Sequence, residues 1–477
     1  MPAYHEGVSE PDDDPTSGAD RQSACADPRP PRLRSSRRGS RAAAIGLVVA
    51  GLVLAAGGAI SQLNQAPRAA APSPAPGPSA PALRTTPDAD QQRVTALQAL
   101  LAVRAKAVLD DDEQAWLSTL DPQQAAFKAK QAAVFANLRD VPFSDFSFEF
   151  DGVSSPLSET RRQQLGETAW VARVIADHRI KGYDTASSQT EQYLTSVQRK
   201  GRWYLAADTD GATVPEPWDL GRVRVVRGDD VLVMGTADLA DLRSLAAQGD
   251  RAVGRVSTVW GEGWPRRAVL VVPQSEAEMG RLLMRSEGLD QIAAVTTGEL
   301  LGGDSGVAGN DRVVINPSAF SRLGATGRRV VLTHEMTHVA LRASTSAAVP
   351  IWLSEGFADY VGYQGVGLTR GTVAADIVAL VRQGEGFTEL PTPEDFDPTR
   401  TTIAPAYSAA WLACSLIADR YGQAALVRLY RTAATSEVED PDTALTQAFS
   451  SVLRTSESAF TQTWVDYLAK LAAETPQ

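Results

Sequence analysis

The chain has 477 residues, 43% of them hydrophobic and 22% charged, which excludes both a largely disordered polymer and a small disulfide-stapled fold, and leaves room for two or three globular domains. Its formal charge of −11 argues against nucleic acid as a partner, because phosphate contact needs a basic face. The two cysteines, Cys25 and Cys414, lie on opposite sides of an apolar run, so they fall in different compartments and cannot pair within one chain.

Residues 1–41 are rich in Pro, Asp, Ser and Arg and are expected to form a disordered cytoplasmic tail. Ala42 to Ile60, "AAAIGLVVAGLVLAAGGAI", is a charge-free run of 19 residues, long enough to cross the hydrocarbon core as a transmembrane helix. Ahead of it stand Arg29, Arg32, Arg34, Arg37, Arg38 and Arg41 with no acid between them. By the positive-inside rule this holds the N-terminus in the cytoplasm and exports the rest. The tail's seven arginines balance seven acids, which puts the negative charge on the exported part. A cleaved export signal stays open as the alternative: "SRRGSR" at Ser36 to Arg41 partly matches a twin-arginine leader, although the apolar residues expected after the arginine pair are missing. Residues 61–87 are a Pro/Ala/Ser linker that stays extended and solvated.

Residues 88–210 read as an α+β domain. Helical periodicity in "QQRVTALQALLAVRAKAVLDDD" and "QAAFKAKQAAVFANLRD" gives way to strand-like runs in "FSDFSFEFDGV", "AWVARVIADHRI", "EQYLTSVQRKG" and "RWYLAAD". That order predicts helices laid on one face of a curved antiparallel sheet. It resembles the cone-shaped fold of the nuclear-transport-factor and ketosteroid-isomerase superfamily, over about 120 residues and on element order alone. Asp177 and His178 are expected at a surface strand end rather than as a catalytic pair.

Residues 211–228 read as a connector with "VRVVRG" as a possible short strand, and a second domain runs from 229 to 477. Its first half mixes elements: a helix in "DLADLRSLAAQGDRAVGRVSTVWG", a buried strand in "RRAVLVVP" and a short helix in "SEAEMGRLL". A glycine-rich loop at Gly302 to Gly309 follows; it lacks the lysine of a phosphate-binding loop and is expected to be an ordinary surface loop. "DRVVINP" is expected to be an edge strand on which an extended peptide pairs by its backbone. The remaining third is almost wholly helical, with Trp352, Phe357, Trp411 and Cys414 expected in its core.

One helix carries chemistry. In "GRRVVLTHEMTHVALR", His334 and His338 are four residues apart, so one helix face presents two imidazoles to a single ion, with Glu335 beside them. A catalytic zinc takes three protein ligands and keeps an open fourth position. "PIWLSEGFADYVGY" offers the third: Glu355 follows His338 after sixteen intervening residues, in a second helical segment opened by Pro350 and Ser354.

His-Glu-x-x-His followed by Trp-Leu-x-Glu-Gly-Phe-Ala is similar to the gluzincin metallopeptidases, the clan of thermolysin and the aminopeptidase-N type enzymes. The resemblance implies that His334, His338 and Glu355 bind one zinc ion and that Glu335 activates the attacking water as general base. Asp359, one turn after Glu355, is a candidate to fix the tautomer of a ligand histidine, or else faces solvent. Tyr407 in "IAPAYSAAWLACSLI" occupies the place of the family's oxyanion-stabilising tyrosine, or else packs on the core. That family's usual Gly-x-Met-Glu-Asn segment, which captures a substrate amino terminus, is absent, so aminopeptidase activity is not carried over. The function implied is a membrane-anchored, extracytoplasmic zinc metallopeptidase acting on peptides or proteins. The alternatives are an inactive cell-envelope binding protein on a peptidase scaffold, and zinc hydrolysis of a non-peptide amide.

Overall fold

A computed structural model describes residues 89–297, 309–397 and 400–475. The N-terminal stretch 1–41 expected to be a cytoplasmic tail, the apolar run 42–60, the linker and all but the last residue of the Gly302–Gly309 loop lie outside these. Among the described residues, no helix is long and apolar enough to cross a membrane. The described residues mix helix and sheet throughout: two sheets, of four and five strands, each backed by helices.

Helices α1 (Ala89–Asp110), α2 (Glu113–Ser118) and α3 (Ala125–Leu138) precede strands β1 (Phe143–Val153), β2 (Trp170–Ile180), β3 (Ser188–Arg199) and β4 (Arg202–Ala207). All three strand pairs are antiparallel and neighbours in sequence are neighbours in the sheet. Register shifts at Phe143/Asp145, Phe150/Gly152 and Thr195/Ser196 bend the sheet, since an extra residue on one strand increases local twist. Into the concave side α1 sends Leu97 and Leu101, which pack with Leu120, Trp170, Val174 and Leu205. A short helix, α4 (Glu159–Leu165), spans the β1–β2 connection. Lys200 and Gly201 both have positive φ, 50° and 81°, as a two-residue hairpin between β3 and β4 requires.

His178 corrects one expectation. It is 2% exposed, ringed by Phe143, Phe146 and Trp218 with centroids 5.6, 6.2 and 5.2 Å away. The period of two along β2 is the reason: Ala176, His178 and Ile180 point inward, while Asp177 is only half-buried and accepts from Gln189. The two side chains therefore leave opposite faces and do not form a pair. Burial, with Arg312 adding to it, drives the imidazole pKa down to about 3, so His178 is neutral. Glu216 lies 4.0 Å away, and burial raises its carboxyl to about 7.

After α5 (Pro217–Leu220) comes the five-stranded sheet, β5 (Arg224–Arg227), β6 (Val231–Gly235), β7 (Ala268–Val272), β8 (Ala294–Thr296) and β9 (Arg312–Ile315), in the order β5-β6-β7-β9-β8. β6, β7 and β9 run parallel; β5 and β8 close the two edges antiparallel. The short strand read in "VRVVRG" forms as β5, and "VLVMG" behind it is the fully buried β6. One expectation is corrected: "DRVVINP" is not an edge, because β9 is paired on both sides, and the edge next to it is the three-residue β8. Helices α6 (Leu239–Trp260) and α7 (Glu276–Leu282) follow β6 and β7 as crossovers.

A bidentate ion pair ties the two sheets together: Arg312 at the start of β9 meets Asp184 in the β2–β3 turn at 2.7 Å through both nitrogens. Asn310 donates to Ser187 O at 2.7 Å, and Thr185 N–H to Gly309 O at 2.9 Å. Asp311 accepts from Arg342 at 2.9 Å, which carries the clamp to the end of the His334 helix. Beyond β9 the structure is helical, and a single core cluster joins α6, the sheet and these helices through Trp260, Phe357, Phe449 and Trp464.

The neutral His178 makes a pH prediction. Unfolded, its pKa is about 6.5, so its contribution to stability is complete above that value and is lost as pH falls toward 3; Glu216, with a raised pKa, works in the opposite sense and is common to both proteins compared. His178→Phe should therefore gain about 2 kcal/mol on wild type between pH 7.5 and 5 in urea unfolding. A stability difference that stays flat with pH would contradict a buried neutral imidazole.

Candidate metal centre

The helix Ala325–Arg342 is buried from Val330 to Leu341 on every side, an arrangement that normally demands an all-apolar sequence. Its polar residues are accommodated individually. Thr333 and Thr337 each return a hydroxyl hydrogen bond to the carbonyl four residues back, at 2.7 Å. His334 and His338 turn toward the next helix, Ile351–Gly362, which presents Glu355.

That approach is close because two glycines permit it. A Cβ on Gly356 would stand 2.4 Å from the carbonyl oxygen of Ala410 and 3.0 Å from Cys414 Sγ, both in the helix Ala404–Tyr421. One on Gly362 would stand 3.2 Å from Val330 O in the His334 helix. Glu355 is thus held between two helices packed nearly backbone to backbone. Cys414, Phe357 and Trp411 fill the surrounding core, while Trp352 is buried yet lines a neighbouring groove.

Three donor atoms converge. His334 Nε2 lies 3.0 Å from His338 Nε2 and 3.2 Å from Glu355 Oε2; His338 Nε2 lies 3.5 Å from Glu355 Oε1. All three side chains are at most 1% exposed. Asp359 is not solvent-facing: it is 3% exposed, and its Oδ1 sits 2.8 Å from His334 Nδ1. That contact places the proton on Nδ1 and turns the Nε2 lone pair toward the centre. Burial disfavours a charged His334, but Asp359 and Glu355 outweigh it and raise its pKa to about 10; Glu355 is held below the usual carboxylate range by the two histidines despite burial. The cluster draws in positive charge.

Glu335, 1% exposed, accepts from Thr296 Oγ1 at 2.9 Å through Oε2, and its Oε1 has no hydrogen-bond partner. Burial raises its carboxyl pKa, which suits a group that must take up a proton. Tyr407 enters from the first turn of the helix Ala404–Tyr421, opened by Pro405. Its ring lies 6.4 Å from the His334 ring and is held edge-on by Phe396 at 5.1 Å. Thr296 is a site residue with no signature in the sequence, because β8 is too short to show a period. A groove of about 1,130 Å³ opens beside the centre, lined by His338, Pro350, Trp352, Leu390, Tyr430 and Glu457.

Whether these residues suit zinc can be tested on the donors alone. Two imidazole nitrogens and one carboxylate are an ordinary catalytic zinc set, and ligand bonds of about 2.0–2.2 Å at tetrahedral angles hold donors roughly 3.4 Å apart. The observed separations of 3.0, 3.2 and 3.5 Å match, and both Glu355 oxygens lack hydrogen-bond donors, as a metal ligand should. The residues fit the ion.

No protein-family model matches the chain, and no curated protein matches it. Among solved structures, a two-domain M1 zinc metallopeptidase mutant bound to L-arginine is similar at a TM-score of 0.32 and 16% identity, over 64% of this chain and 61% of that one. An M1 zinc metallopeptidase mutant from Deinococcus radiodurans is similar at a TM-score of 0.31 and 17% identity, over 62% and 61%. The chain thus spans about 61% of the length of these two structures. A likeness of that size leaves the donor geometry as the ground for any functional conclusion.

The glycine contacts make opposite predictions for one type of substitution. Gly356→Ala should lose about 1–3 kcal/mol or more and lower the bound-metal content, because its neighbour at 2.4 Å is backbone. Gly254→Ala, exposed on α6 with nothing within 4 Å, should gain up to about 1 kcal/mol. Thermal unfolding and metal analysis of both proteins check this, and a Gly356→Ala protein as stable and as metal-replete as wild type would refute the close crossing.

Proposed function

We propose that this chain is a zinc-dependent metallopeptidase in which His334, His338 and Glu355 hold the ion and Glu335 is the general base. The observation that carries the proposal is the convergence of the three donors beside a buried glutamate whose Oε1 is unpartnered. Bound there, zinc would supply Lewis acidity, polarising a substrate carbonyl and acidifying water to a pKa of about 7. Glu335 Oε1 would take the water's proton and later release it to the leaving amine, while Thr296 fixes the opposite oxygen so that the base keeps one orientation. Asp359 would hold the His334 ring in position and in the right tautomer. Tyr407 would donate its hydroxyl to the oxygen that gains charge in the transition state. The groove beside His338 would take the substrate.

We further propose, from the arginine run and the apolar segment 42–60, that the chain is anchored in a cell membrane with this site outside the cytoplasm. Recovery of the full-length chain from the soluble fraction of fractionated cells would count against it.

Digestion of a mixed peptide library, read by mass spectrometry, tests the activity. Wild type should cleave and should stop when the metal is chelated. Glu335→Gln should retain about one zinc per chain and lose at least about 10²-fold in rate, whereas His334→Ala should lose zinc and hydrolysis together. In the same assay Tyr407→Phe should lower kcat more than KM. Full activity in Glu335→Gln would end the mechanism; bound zinc with no turnover in wild type would favour a binding protein on a peptidase scaffold.

A further inference from the structure

The four-stranded sheet and its helices enclose a cavity of about 410 Å³, within the range of about 300–1,000 Å³ common for small-molecule sites, and nothing in the proposed peptide chemistry uses it. Much of its wall is apolar: Trp116, Phe146, Phe148, Leu194 and Trp218. Set into that wall is Arg104, on the buried face of α1 and only 4% exposed. Its guanidinium lies over Trp116, 3.3 Å from the ring centroid. Nη1 donates to Thr119 Oγ1 at 3.2 Å and Nη2 to Gln131 Oε1 at 2.5 Å, and Nε has no acceptor. Both acceptors are neutral, so the charge is buried without a carboxylate in contact. Desolvation accordingly pulls its pKa down to about 9.

The acids that line the same cavity, Asp208 and Asp219, act on the guanidinium from a distance without outweighing its burial, and their hydrogen bonds go to other groups. Asp208 accepts from Lys130 Nζ at 2.8 Å and from Gln131 Nε2 at 3.1 Å. Asp219 accepts from the Glu216 backbone N–H at 2.9 Å, in the capping box of α5. Arg281, exposed at the end of α7, contributes a further cation to the lining. A buried charge whose counter-charges stand off is costly, and an anion in direct contact would lower that cost.

We propose that this cavity is a binding site for a small organic anion, with a carboxylate that pairs with Arg104 and an aryl or alkyl body that lies against Trp116, Phe148 and Trp218. A cationic ligand would bring like charge to Arg104, and a neutral one would leave the guanidinium uncompensated. The site is independent of the zinc centre, so its occupancy is measurable whether or not the protein cleaves peptides.

Calorimetric titration of the whole protein with 4-phenylbutyrate and octanoate tests this, each against the alcohol of the same chain. The acids should bind once per chain and at least about tenfold more tightly than the alcohols, as a charge-assisted hydrogen bond implies. Arg104→Gln should remove that advantage. Ala212→Trp, at an exposed lining position, should weaken both acids by tenfold or more while leaving the fold intact, and it decides the matter if Arg104→Gln does not fold. Absence of saturable binding by either acid, equal affinity for acid and alcohol, or binding untouched by Ala212→Trp would each overturn the proposal.

Discussion

Three carboxylates, Glu335, Glu355 and Asp359, are buried in the helical core around two histidines, and among the described residues no lysine or arginine pairs with any of them. Burying an ionised carboxylate costs several kcal/mol unless opposite charge accompanies it. Among the described residues, the groups beside them that can carry positive charge are the imidazoles; with Asp359 holding a proton on His334 Nδ1, the two Nε2 atoms face each other across a common centre, where a metal would take the place of their protons. A divalent cation at that centre would offset this charge. The surrounding architecture serves to hold this concentration of charge in a dry place.

Three features achieve that. The His334 helix is enclosed on all sides, so its polar groups have no access to bulk water. Gly356 and Gly362 let the Glu355 helix approach its neighbours closely enough for a short carboxylate to reach two histidines. Finally, the chain of contacts from Asp184 through Arg312 and Asp311 to Arg342 ties the first sheet to the C-terminal end of the same helix. The domain that carries the Arg104 cavity is therefore joined by these contacts to the helix that carries the proposed metal ligands.

Much of the site is local in sequence and legible there. Helical periodicity alone puts His334 and His338 on one face, and a Glu355 one helix later needs only a short turn between. Asp359, one turn beyond Glu355, follows from the same period, although sequence could not decide whether it faced His334 or solvent; helix packing decided it. What sequence did not show is non-local. Strand order placed β9 inside the sheet and made the three-residue β8 the edge, and no periodicity reveals three residues. Thr296, which bonds Glu335, was hidden for the same reason. β6 is a continuous apolar run of five residues, which carries no phase to separate strand from helix. His178 alternates with Asp177 along β2, but the partners that bury it, Phe143, Phe146 and Trp218, are distant in sequence and so gave no local sign.

The central claim is that two imidazoles and one carboxylate share a single zinc ion in this core. Zinc K-edge X-ray absorption on the purified, zinc-replete protein tests it most directly, because outer-shell scattering counts imidazoles and the first shell distinguishes oxygen or nitrogen from sulfur. The account predicts about one zinc per chain with two imidazoles and only oxygen otherwise, at about 2.0–2.1 Å. Sulfur in the first shell, fewer than two imidazoles, or an unchanged spectrum in a His338→Ala protein would contradict it.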